Sequence, residues 1–135
     1  MSMKRSLYDE ILLEHNARPR YRGVLTGEGV LSRTLMNASC GDEVTVYLRM
    51  AEEVVVEASW EGKGCAIALA SADLMCSVVA KKTEEEIKEL RREFDRLVKG
   101  EMPEQQMKEM FGEAAALSTV SRMPARVKCA KVAWG

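Results

Sequence analysis

Four residues have side chains whose types could do chemistry together: Cys40 and Asp42 in the stretch ASCGDEV, Cys65 in GKGC, and Cys129 in PARVKC. A single glycine separates Cys40 from Asp42, so one turn can feed a thiolate and a carboxylate to the same ion with no side chain between them. Zinc in proteins usually takes four ligands drawn from thiolate, imidazole and carboxylate. These residues would supply three sulfurs and one oxygen. Against that reading, there is no C-x-x-C pair, and ligands far apart in sequence cannot be grouped from spacing. Reduced cysteines are also common small core residues. On the residues alone, a metal site and a set of packed thiols both stand.

Three of the thiols share a local context. Cys40 ends a loop that leads into a strand. Cys65 follows Gly62 and Gly64 and opens a helix, and Cys129 lies just past Pro124, in or near the first turns of the last helix. A helix N-terminus presents unpaired N–H groups and a partial positive charge, which favour a thiolate over a thiol. Such cysteines are poised as nucleophiles or ligands.

Cys76 reads differently. It lies eleven residues beyond Cys65 on nearly the same helix face, yet at the α-helical rise it is about 16 Å further along and cannot share an ion with it. It is expected to be a buried core thiol. His15, the sole histidine, ends the first helix and is expected to be a charge partner or a packed side chain rather than a ligand. Arg18, Arg20 and Arg22 read as a solvated loop with the capacity to dock a partner, and the nine methionines as core filler.

The elements that must position these groups follow from periodicity. The 135 residues fit one domain, 1–135, able to bury a core without disulfide staples. A formal net charge of −1 and few aromatics argue against nucleic acid and against an anionic membrane surface. The N-terminus MSMKRSLYDE lacks an apolar export segment, and no later run is long enough to span a bilayer. A cytoplasmic, reducing location is therefore expected, with the cysteines present as thiols, ligands or catalysts and not as disulfides.

LYDEILLEHN has helical spacing and is stopped near Pro19. VLSRTLM (30–36) is a weak strand, while EVTVYLRM and VVVEASW alternate well around a short turn at Ala51–Glu53, which predicts an antiparallel hairpin. An apolar helix runs from Ala66 to about Ala80. The next begins at a Thr83/Glu86 capping box and closes at Gly100. A fourth is expected from about Glu104 to Ala116, and a last from near Pro124. Strands grouped ahead of most helices indicate an α+β fold with a small antiparallel sheet.

Taken in order, LYDEILLEHNARPRYRG, ASCGDEVTVYL, WEGKGCAIALASADLM and MPARVKCAKVAW resemble successive signatures of the SufU/IscU iron–sulfur assembly proteins, the NifU N-terminal-like family. The resemblance covers nearly the whole chain. It implies a three-stranded antiparallel sheet with packed helices, the SufE/NifU-like architecture. It is closer to the zinc-binding SufU branch, because Lys128 stands where scaffold-type members carry a histidine before the third cysteine, and because the Cys65–Cys129 separation is long. EHNARPRYRG departs from the family's usual His-Tyr…Asn-Pro-Arg-Asn pattern, and the final helix of relatives continues past the position of Trp134.

By that resemblance, Cys40, Asp42, Cys65 and Cys129 match the zinc-ligand positions. Cys40 matches the sulfur-accepting cysteine, and Arg126 an arginine that opens the site when a desulfurase docks. The implied function is a zinc-dependent sulfur acceptor, a sulfurtransferase acting with a cysteine desulfurase and delivering to downstream iron–sulfur assembly proteins. The alternative is a scaffold on which a [2Fe–2S] cluster is built on the same cysteines. A third reading is a structural zinc module that only binds a partner.

Overall fold

The computed structural model describes residues 3–37, 41–120, 127, 130, 131 and 134. Helix α1 (Met3–Ala17) is followed by strands β1 (Val30–Asn37), β2 (Asp42–Ala51) and β3 (Val54–Lys63). Helices α2 (Ala66–Val79), α3 (Glu84–Val98) and α4 (Glu104–Phe111) come next, and a 3-10 segment runs over Gly112–Val120. The strands form an antiparallel sheet in the order β1-β2-β3. This is the α+β architecture expected from the patterns.

Strand β2 shows how the alternation becomes a layer. Asp42, Val44 and Val46 are buried on the inner face, while Glu43 is exposed on the outer one. The β2–β3 connection is a two-residue turn with Ala51 opposite Val54. Glu52 and Glu53 both have left-handed φ, 53° and 67°, the conformation whose twist suits a tight hairpin. Trp60 on β3 and Leu74 on α2 are fully buried between sheet and helix, and Tyr8 and Leu12 bring α1 onto the same core. Cys76 is fully buried among them, as expected. Removal from water, followed by the nearby Asp73 charge, pushes its thiol pKa upward, so it stays protonated.

The capping box at the start of α3 is present: Glu86 N–H donates to Thr83 Oγ1 (3.2 Å) and Thr83 N–H donates to Glu86 Oε1 (3.0 Å). The fourth helix ends earlier than its sequence pattern suggests. It stops at Phe111, because Gly112 takes φ 55° and turns the chain into the 3-10 segment. Of the final element, Val127, Ala130 and Lys131 are helical, and Trp134 stacks on Phe94 with ring centroids 3.9 Å apart. The Trp134 Nε1–H donates to Ser71 Oγ (3.0 Å), and that hydroxyl donates to Ala130 O (2.5 Å). The end of the chain is thereby clipped to α2. Not all methionines fill the core, since Met36 on β1 is largely exposed.

The two edges of the sheet differ. On β3, Trp60 N–H donates to Tyr21 O (3.0 Å) and Gly23 N–H donates to Trp60 O (2.7 Å). Further along, Val55 N–H donates to Lys82 O (2.9 Å) and Lys81 N–H donates to Val55 O (2.6 Å). Among the described residues, no segment pairs with the outer edge of β1.

Candidate functional site

Asp42 is the first residue of β2 and lies opposite Asn37 of β1. Strand parity puts its side chain on the inner face with Val44, and it is 1% exposed. A carboxylate so far removed from water needs donors. One is the backbone N–H of Cys65, 2.8 Å from Asp42 Oδ1. Cys65 is the N-cap of α2, and its Sγ accepts the N–H of Ala68 at 3.4 Å. The same sulfur lies 3.9 Å from Asp42 Oδ2. One oxygen of the carboxylate thus ties down the helix entrance while the other faces the thiol.

Glycines make this approach possible. A Cβ on Gly64 would fall 2.5 Å from Asp42 Oδ1, and one on Gly62 would fall 2.2 Å from the Glu43 carbonyl oxygen. Arg22 braces the same turn. Its Nε donates to Glu61 Oε1 (3.0 Å), a terminal N–H donates to Gly62 O (3.1 Å), and the guanidinium sits 5.0 Å from the centre of the Trp60 ring. The Gly62 N–H, and after it Arg22, hold the Glu61 carboxyl below the usual carboxylate range.

Of the four sequence-derived ligand candidates, Asp42 and Cys65 are therefore neighbours. Cys40, Cys129 and the candidate Arg126 lie outside the described residues. Among the described residues, no three His, Cys, Asp or Glu side chains converge as a complete metal site. The half that is described fits zinc. Zn–O and Zn–S bonds of about 2.1 and 2.3 Å at a tetrahedral angle put the two donor atoms roughly 3.5 Å apart. The 3.9 Å between Asp42 Oδ2 and Cys65 Sγ is close to that separation.

A second polar cluster, which sequence reasoning did not assemble, supports the site from behind. Asp73, fully buried on α2, accepts from His15 Nδ1–H (2.6 Å) and from the backbone N–H of Arg20 (3.1 Å) on one oxygen. Its other oxygen accepts from Tyr21 N–H (2.8 Å) and Trp60 Nε1–H (3.0 Å). His15 is itself 1% exposed, and its Nε2 lies 3.5 Å from Glu113 Oε2. It is thus packed in the core and hydrogen-bonded through Nδ1, as a packed side chain and not a metal ligand. Asn16 adds a bond to Ala66 O (3.4 Å), at the first turn of α2. The signal in the sequence was an aspartate inside an apolar helix, which demands a partner. Arg18, Arg20 and Arg22 are exposed, as expected of a solvated loop, and Arg20 and Arg22 pair across the surface with Glu113 and Glu61.

Comparisons with known proteins identify the family to which this sequence and fold are similar. The family model described as NifU-like N terminal domain matches residues 7–130. The chain is 31% identical over 129 residues to the zinc-dependent sulfurtransferase SufU of Bacillus subtilis (strain 168), covering 96% of this chain and 85% of that protein. It is 36% identical over 129 residues to the iron–sulfur cluster assembly scaffold protein IscU of Thermotoga maritima, covering 95% and 87%. In structure it resembles the N-terminal part of a nitrogen-fixing NifU-like protein from Brucella abortus, with a TM-score of 0.80 at 27% identity over 98% of this chain and 90% of the other. The family match over residues 7–130, together with relatives above 30% identity along nearly the whole chain, shows that the chain belongs to the NifU-like N-terminal domain family.

Proposed function

We propose that this protein is a zinc-dependent sulfur acceptor in iron–sulfur cluster assembly, taking persulfide sulfur from a cysteine desulfurase onto Cys40 and passing it to downstream assembly proteins. The observation that carries this reading is the Asp42–Cys65 contact, with a carboxylate oxygen 3.9 Å from a thiol sulfur at a helix N-terminus. Cys40, Asp42, Cys65 and Cys129 would hold the ion. Bound there, zinc supplies Lewis-acid stabilisation that keeps the thiols deprotonated.

Sulfur transfer is an exchange between sulfurs. The Cys40 thiolate attacks the outer sulfur of the desulfurase persulfide and forms a new S–S bond. The persulfide's own S–S bond breaks, and its electron pair leaves on the desulfurase cysteine as a thiolate. No net oxidant is required, and Cys40 becomes the persulfide. Asp42 would be the one oxygen donor among sulfurs around the ion, and Arg126 would be the cation able to pair with its carboxylate.

Mass spectrometry after incubation with a cysteine desulfurase and free cysteine tests this reading, together with zinc analysis of the purified protein. One equivalent of zinc and a single added sulfur on the wild type, lost in Cys40→Ala, are the expected results. Persulfide transfer at the wild-type rate in Cys40→Ala would overturn it. The scaffold reading has its own support in the 36% identity to an IscU protein. Under that reading, anaerobic reconstitution with iron and sulfide yields a stable visible chromophore at sub-stoichiometric zinc.

A further inference from the structure

The sheet has one closed edge and one open edge. Residues 21–23 and 81–82 bond to β3, while among the described residues nothing bonds to the outer edge of β1. Beside that open edge lies an apolar trough of about 200 Å³, bounded by Leu31, Leu48, Val79, Ile87 and Trp134. Leu31 is 61% exposed although it shares the inner face of β1 with Leu35.

Charge tells what would cover it. Arg33 stands on the same face of β1, opposite Val46, and Arg91 of α3 lines the trough from the other side. Arg92, next to Arg91, lines the adjoining surface that carries Trp134 onward. The other cations of that surface are matched, Lys88 to Glu84 and Lys131 to Asp95. Arg33, Arg91 and Arg92 make no ion pair among the described residues. An apolar floor under unmatched guanidinium groups, beside a row of unpaired strand amides, is complementary to a chain that alternates apolar and acidic residues.

We infer that β1 is a docking edge for an extended peptide segment of a partner protein. The segment adds to the sheet as a further strand, points its apolar side chains into the trough, and meets Arg33 and Arg91 with carboxylates. The eight residues of β1 offer about 27 Å of edge. Leu31 and Arg33 lie toward the end of the strand remote from Asn37, which faces Asp42. This surface is therefore distinct from the candidate metal site, yet a bound strand would lead toward it.

The test uses a fluorescein-labelled octapeptide of alternating valine and glutamate, titrated with the intact protein by anisotropy and by amide NMR. Saturable binding with shifts centred on residues 30–37 is expected. It should weaken by about tenfold or more in Arg33→Glu/Arg91→Glu while the thermal midpoint is unchanged. N-methylating alternate peptide amides should abolish binding, because it removes the main-chain bonds and leaves charge and side chains intact. Three results would overturn the proposal: no binding at millimolar protein, equal binding by the N-methylated peptide, or equal binding by a serine–glutamate octapeptide. Concentration-dependent self-association that maps to β1 would likewise overturn it, by making a second copy the occupant.

Discussion

Asp42 and Asp73 are both buried carboxylates, 1% and 0% exposed, on the same side of the sheet. Their surroundings differ in kind. Asp73 collects an imidazole, an indole and two backbone N–H groups from α1, the following loop and β3, so it welds four parts of the chain at one point. Asp42, among its contacts, accepts the Cys65 N–H on one oxygen and has the other 3.9 Å from the Cys65 sulfur. The first arrangement is matched donor by donor and has a structural purpose. The second brings a carboxylate oxygen and a thiol sulfur together at the entrance to α2. Equal burial thus says little about role, and the chemistry of the partners says a great deal.

The largest effect that would sharpen this contrast is Asp73→Ala. Four donors, two of them in buried bonds, would lose their acceptor, and urea unfolding should show a loss of about 3–5 kcal/mol. Gly64→Ala should come next, because the new Cβ would meet the Asp42 carboxylate at 2.5 Å. A stability loss of about 1–3 kcal/mol is expected there, with a parallel fall in zinc per protein measured by elemental analysis. Asp42→Asn should change stability least, by under about 1 kcal/mol, because the amide oxygen still accepts from Cys65 N–H. Its zinc affinity, measured by chelator competition, should nevertheless fall by about tenfold or more. If Asp42→Asn cost as much stability as Asp73→Ala, the two carboxylates would have the same role and the contrast would collapse.

Much of the scaffold was legible because local physics decided it. The alternation of β2, the Thr83–Glu86 box and the apolar run of α2 are short-range signals, and each element formed where its pattern lies. What was not legible depends on distant parts of the chain. His15 gives no hint of its partner 58 residues away. Nor does the periodicity of residues 104–116 show that Gly112 will take a left-handed turn and tighten the chain into a 3-10 segment. The Asp42–Cys65 half of the candidate site lies between these cases. Gly62 and Gly64 stand before Cys65 in the sequence, and glycine permits a close backbone approach, but the strand-to-helix geometry is needed to show that it is Asp42 that approaches Gly64.

The clip between Ser71, Ala130 and Trp134 has a consequence for the entropy of loop closure. Cys65 and Cys129 are joined by a long stretch of chain, and bringing the ends of a long loop together has an entropy cost that grows with its length. Ala130 directly follows Cys129 in sequence, and Ser71 lies on the helix that Cys65 caps. The loop is therefore closed by packing and hydrogen bonds before any ligand arrives. The position of Ala130 and Trp134 against α2 is set by this contact with Ser71, not by the span of chain between them. The entropy of bringing Ser71 and Ala130 together therefore falls on folding of the chain itself.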